Sequence, residues 1–450
     1  MLKKIFKYGS YILGVILLLL IGVVFWFWDT ISILTGNKNL TGAVEGIPQV
    51  QLTEYPEITN GEADWPCWLG EEGNNSITVD TVPADFSKGL KKLWEVNYLC
   101  QDQTSAAWAA PVIQGNRLIV CGRSDTDDIV FCMNPDTGDL IWHTSYPAEA
   151  GSTYGSGIRA TPWIDDTRVY TYGRSGDLVC WNLLDGEKIW HNNVKDDGGE
   201  EPTWGFSSSP YVTDSMVIVD AGGTARTIAY DKHTGQLKWT CASGTAGYAA
   251  ITTMKIGEQE VILDFYGTGL SAVALETGEE LWNIPWITNY DVNATTPVTS
   301  GGFIFITSGY NTGCQLIKAG MDSAAVVWTN TNIASHHSDP FILDGYIYGY
   351  SGLSMQNKGA FKCLDLETGQ EQWSTNEMGW GTAIKVNDHL LCMDIKGNLF
   401  LMKPNPDAFE LTASWQNALG TVKGAAWTKP IAANNKLYLR FKQKLICYEF

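Results

Sequence analysis

The sequence predicts an all-β fold: an eight-bladed β-propeller of four-stranded blades, closed by pairing of N- and C-terminal strands and preceded by one N-terminal transmembrane helix. Three observations carry this. A turn followed by a Trp recurs at Trp94, Trp142, Trp190, Trp239, Trp282, Trp328, Trp373 and Trp415, at intervals of 48, 48, 49, 43, 46, 45 and 42 residues. Such periods match four short strands per propeller blade. A Pro-marked strand opens most units, as in AAPVI at Pro111, ATPWI at Pro162, SSPYV at Pro210, TTPVT at Pro297, SDPFI at Pro340 and TKPIA at Pro430. The last unit, residues 429–450, stops after three strands, and its missing fourth lies at the other end, in residues 90–96 around Trp94. Seven whole units and one split unit close a ring and remove open sheet edges.

In chain order, residues 12–28 come first: they are uncharged, almost wholly apolar and long enough to span a bilayer. Lys3, Lys4 and Lys7 precede them and Asp29 follows, which keeps the N-terminus cytoplasmic; Trp26 and Trp28 fall at the interfacial belt. A cleaved signal peptide is the alternative, although its apolar core is usually about 7–15 residues. Either reading exports the rest. The expected location is the cytoplasmic membrane, single-pass, with the propeller on the extracytoplasmic (periplasmic) side. Residues 1–34 are thus the anchor, 35–89 a linker and N-terminal extension, and 90–450 the propeller. Residues 35–62 show no periodicity and read as a flexible tether.

Within each unit the Pro-marked strand leads through a tight turn, such as Asp344-Gly345, to a second strand. A third strand carries a small residue six positions before the turn Gly: Cys132, Cys180, Ala229, Ala272 or Cys363. The Thr-Gly turn supplies positive φ, and the Trp four residues beyond suits packing between blades. The ten Cys thus read as small buried residues, exchangeable with Ala, rather than as a disulfide framework. Cys121 and Cys132 are one exception left open, being symmetric about the turn at residues 124–128. No CxxC is present, so zinc is not indicated.

The net charge of −19 argues against a nucleic-acid partner, which needs dense positive charge. GTGLSA from Gly267 fits a dinucleotide-binding spelling, but a strand follows it where a helix N-terminus is required. His143 and His191 occupy one repeated slot after the Trp. His336-His337 is an unusual pair that can share a metal only on irregular backbone, and no metal ligands are assigned.

The A/C-x-D/N-x-x-T-G-x-x-x-W pattern resembles the repeat of the pyrroloquinoline-quinone (PQQ)-like propeller superfamily. That group includes quinoprotein alcohol dehydrogenases and the propeller lipoprotein of the outer-membrane β-barrel assembly machinery. WPCWLG from Trp65, RATP from Arg159, WGFSSSP from Trp204 and YDVNA from Tyr290 are similar to signatures of bacterial PQQ-like repeat proteins, over residues 64–450. The resemblance implies fold and subgroup more than activity. Quinoprotein dehydrogenases pair a calcium-coordinating Glu, Asn and Asp set with a catalytic Asp and a disulfide between adjacent cysteines. This chain has no Cys-Cys dipeptide, and its near-minimal units leave no room for the insertions of those enzymes.

No catalytic residues are assigned. The expected function is a non-catalytic binding or scaffolding module for a protein or small ligand, without a cofactor. The alternative is a quinoprotein-like oxidoreductase of alcohol dehydrogenase type using PQQ and calcium; a carbohydrate- or peptide-processing enzyme is a third reading. The innermost strand of each blade starts at one mouth of the channel, opposite the Thr-Gly turns. The residues just before it, around the ring, are Trp108, Arg159, Trp204, Tyr248, Asn293, His336 with His337, Trp380 and Trp427. Rigid aromatics with an Arg and a few polar groups are the composition of binding sites. They are equally what would fill a narrow channel.

Overall fold

The Thr-Gly turn and the docking Trp interlock, and this contact builds the ring. In the computed structural model, which describes residues 28–36, 40, 43–50, 54–83, 85–102, 105–151, 154–355 and 359–450, each Trp leans on the turn before the outermost strand of the following blade, in most cases a glycine turn. A Cβ added to Gly138, Gly186, Gly235, Gly278 or Gly369 would lie under 3 Å from Trp94, Trp142, Trp190, Trp239 or Trp328, respectively. These glycines also have φ between +67° and +76°, a region other residues enter only at a cost. Six indoles donate to a backbone carbonyl of the next blade, including Trp142 Nε1 to Leu183 O at 3.0 Å and Trp373 Nε1 to Asn405 O at 2.8 Å. The small residue of the third strand sits directly opposite the Trp, as in Cys132 with Trp142, Ala229 with Trp239 and Cys447 with Trp94. A bulky side chain there would crowd the indole.

Eight antiparallel sheets result. Numbered from the first complete unit, blades 1 to 7 span residues 112–147, 163–193, 211–241, 252–285, 298–330, 341–375 and 381–415. Blade 8 is the split one: Ile431–Ala433, Lys436–Phe441 and Lys444–Glu449 are completed by Lys92–Val96, with Val96 opposite Leu445. Gly89 supplies the turn glycine for this blade, where an added Cβ would lie 3.0 Å from Trp415. All ten cysteines are free and buried. Cys121 pairs with Val130 and Cys132 with Ile119, so the hairpin register sets the two thiols diagonally rather than face to face.

Residues 12–27 of the expected transmembrane helix lie outside the described residues. Among the described residues no helix is long and apolar enough to cross a membrane. The helix Trp28–Gly36 packs on the propeller: Ile33 is buried with Met378, Trp380 and Ala425, and Lys442 Nζ donates to Gly36 O at 2.7 Å. The expected tether, in its described residues, is not free of the ring. Glu45 N donates to Asn97 O at 3.1 Å, and Asn116 Nδ2 donates to Glu57 O at 2.8 Å. Arg117 also donates to Pro56 O. These backbone pairings hold an aperiodic segment against the propeller surface.

The extension then enters the channel. Trp65 bridges to Ile113, and Ile164 N donates to Pro66 O at 2.8 Å. Ser76–Ile77 leaves it as a fifth, parallel strand on the innermost strand of blade 7, Gly381–Val386. Between them Trp68 Nε1 donates to Thr296 Oγ1 and Asp339 Oδ2, both at 2.9 Å. Lys429 Nζ lies 3.8 Å from the Trp68 ring centroid and donates to Asn75 Oδ1 at 2.8 Å. The channel is therefore plugged from the Thr-Gly side by the chain's own N-terminal extension.

Candidate functional site

Each inner strand begins where the chain crosses from one blade to the next, so the preceding residue is delivered to the opposite mouth. Backbone bonds between neighbouring crossings fix these positions: Trp108 N donates to Ile158 O at 3.0 Å and Tyr248 N to Asn293 O at 2.8 Å. The result is a cavity of about 490 Å³ with Trp68 among its lining residues. Of the nine positions singled out in the sequence, Trp108, Arg159, Trp204, Tyr248, His336, His337 and Trp427 line it. Asn293 and Trp380 do not. Asn293 is fully buried, donating to Tyr266 O at 2.7 Å and accepting from Ser308 Oγ at 2.7 Å, so its amide staples the backbone. Trp380 is fully buried behind His337, with ring centroids 4.6 Å apart.

Sequence reasoning missed Tyr154, Tyr290 and Tyr310, which complete the wall. All three have left-handed backbone, with φ of 60°, 62° and 57°. That region is strained for a bulky residue, and such strain clusters at ligand sites. A signal was present: each of these Tyr is followed by Gly155, Asp291 or Asn311, turn formers that mark a sharp bend. The rings form a chain around the cavity. Trp204 meets Tyr154 at 5.7 Å, Tyr154 meets Trp427 at 5.7 Å, and Trp427 meets His337 at 6.0 Å. His337 meets His336 at 5.3 Å, His336 meets Tyr310 at 5.2 Å and Tyr310 meets Tyr290 at 5.6 Å. Trp108 backs Trp427 at 4.9 Å.

Charge in the cavity is one-sided. Arg159 Nη1 donates to Trp204 O at 2.7 Å and Nη2 to Gly155 O at 3.3 Å. Burial, then the neighbouring Arg174, lowers its pKa to about 10, which leaves it cationic at neutral pH. Among the described residues no Asp or Glu lines the cavity. Burial lowers the His336 pKa to about 4, and burial with His336 alongside holds His337 well below the usual range; both are neutral at pH 7. Ser354 N donates to His336 Nδ1 at 3.3 Å, which puts the ring proton on Nε2. Among the described residues no group of three or more His, Cys, Asp or Glu is placed to hold a metal ion.

The family model described as outer membrane protein assembly factor BamB matches residues 126–375, more than half of the chain. The chain belongs to that family. It is a PQQ-like β-propeller repeat protein related to BamB and to quinoprotein alcohol and methanol dehydrogenases. BamB from Moraxella catarrhalis is similar with 16% identity and a TM-score of 0.57, over 80% of this chain and 100% of that one. The quinohemoprotein alcohol dehydrogenase of Comamonas testosteroni is similar with 11% identity and a TM-score of 0.63, over 93% and 84%. A europium-containing methanol dehydrogenase follows at 10% and 0.62, over 84% and 89%. At these identities the likeness is one of fold. No curated protein matches the chain.

Proposed function

We propose that this BamB-type propeller is a non-catalytic binding module, held at the extracytoplasmic side of the cytoplasmic membrane, that takes an anionic ligand with an apolar face at the mouth of its channel. One observation carries the reading: an aromatic-walled cavity that holds a cation and, among the described residues, no carboxylate, in a protein of net charge −19. Its volume of about 490 Å³ suits a small molecule or the end of a peptide. Ring faces accept the apolar body, and a guanidinium in a dry site favours carboxylate or phosphate. The docked helix Trp28–Gly36 lies on the mouth face beside Trp380 and Lys442. With residues 12–28 as the anchor, that face turns toward the bilayer.

The quinone-calcium alternative does not fit the residues present. Calcium takes six to eight oxygen ligands, carboxylates foremost, and the described residues of the cavity wall include no carboxylate. The ten cysteines are separately buried, so no adjacent-cysteine disulfide can cover a planar cofactor.

Titration of intrinsic Trp fluorescence with indole-3-carboxylate and indole-3-carboxamide tests the reading. The carboxylate should bind more tightly by about tenfold, and Arg159→Met should erase that preference. Trp427→Ala should weaken both ligands. Equal binding of the two ligands, or carboxylate binding unchanged in Arg159→Met, refutes it.

A further inference from the structure

Propellers leave the outermost strand of every blade as an open edge, and proteins usually protect such edges with charge or Pro. Seven of the eight outer strands here follow that rule. Lys188, Lys238, Glu371, Glu410 and Lys92 with Glu95 guard blades 2, 3, 6, 7 and 8, Pro147 guards blade 1, and Glu280 with Pro285 guards blade 4. The outer strand of blade 5, Ala324–Asn330, reads AAVVWTN and has neither. Val326 and Val327 on it are 48% and 47% exposed. Beside it runs a groove of about 410 Å³, with Val327, Phe303 and Leu316 in its wall and Asp344, Asp365 and Glu367 on its rim.

We infer that this edge is a docking site for an extended segment of a partner protein whose side chains alternate between basic and apolar. Such a segment adds a fifth strand to blade 5, with main-chain hydrogen bonds giving affinity and alternate side chains giving specificity. Its apolar side chains cover Val326 on one face, while its basic ones, on the other, enter the groove beside Val327 and meet the three carboxylates. The fold already accepts strand addition: Ser76–Ile77 is a fifth strand on blade 7, at the inner edge. A second copy of this chain is the poorer occupant, because two molecules of net charge −19 would bring acidic rims together. Lys318, opposite Ala325, lies one strand further in and leaves the rim acidic. The inference is independent of the channel cavity.

The test uses the full chain and three ten-residue capped peptides: alternating Lys-Val, alternating Glu-Val, and Lys-Val with N-methylated backbone. Fluorescence anisotropy should show binding of the first alone. Hydrogen exchange should slow at residues 324–330 when it binds. Val326→Lys with Val327→Lys should weaken binding about tenfold or more through like charge, with the unfolding midpoint unchanged; Leu237→Lys on blade 3 should have no effect. Four outcomes overturn the inference: no binding at millimolar peptide, equal binding of the Glu-Val or methylated peptide, binding indifferent to the double variant, or a parent dimer that the double variant makes monomeric.

Discussion

The two ends of the channel are built on opposite principles. At the plugged end polar partners are specified: Trp68 donates to Thr296 and Asp339, and Lys429 lies over the indole while bonding Asn75. At the open end the directional bonds lie behind the rings, as in Trp108 Nε1 to Tyr154 O at 2.6 Å and Arg159 to Trp204 O, and ring faces are left turned to the cavity. Trp68 and Asn75 of the plug are bonded to residues of the surrounding blades. Residues at the mouth are positioned by the backbone and leave their faces for something else. The same set of side-chain types thus seals one end and holds the other open, and the difference lies in what their polar atoms are doing.

Replacing a Trp at each end gives the largest contrast. Trp68→Ala should destabilise by about 3–5 kcal/mol in urea unfolding, since it removes a large ring and strips Asp339 of a donor. Trp427 is half-buried like Trp68, but its indole N–H donates only to Ser354 O at 3.3 Å, so Trp427→Ala should cost less by about the 1–3 kcal/mol of leaving a buried acceptor unpaired. Equal costs would break the distinction between plug and mouth.

The next effect is on pH dependence. Burial lowers the Lys429 pKa from 10.5 to about 7, with Asp339 pulling the other way. Between those values the unfolded chain holds a proton that the folded one has lost, so this group makes stability rise with pH from about 7 to 10.5. Lys429→Met should flatten that rise relative to the parent. At the mouth the sign gives an acid window. His336 falls from 6.5 to about 4, so stability drops as pH falls from 6.5 toward 4. His336→Gln should remove part of that drop and leave the alkaline rise unchanged.

The smallest effect concerns strain. Tyr290 is 65% exposed with φ of 62°. Asn enters the left-handed region readily, so Tyr290→Asn should stabilise by about 0.5–1 kcal/mol. The same variant should bind indole-3-carboxylate less well. A stability loss would mean that the ring contributes more to packing than its exposure implies.

The comparison also explains what was legible in the sequence. Trp-to-turn spacing disclosed the blades and the split one, because a contact repeated eight times leaves eight copies of its residues. The position before each inner strand disclosed most of the mouth, because the repeat sets the height of that residue in the channel. It does not set direction. At Asn293 the chain bends so that the amide faces the backbone, and Trp380 turns behind His337. The plug was hidden for the complementary reason: residues 64–79 occur once, so no periodicity marks WPCWLG as channel-filling. The left-handed tyrosines were hidden because one sharp bend is a local event, signalled only by the Gly, Asp or Asn that follows.

The split blade bears on the order of synthesis. Lys92–Val96 emerges long before its partner Lys444–Glu449. Until then the nascent ring has two unpaired edges, and the first strand must wait for the seven blades in between. Such distant pairing is slow to form. Closure thus waits on the split blade: a chain cut before Lys444–Glu449 keeps most of its blades yet cannot join them, and it presents open strand edges to proteases and chaperones.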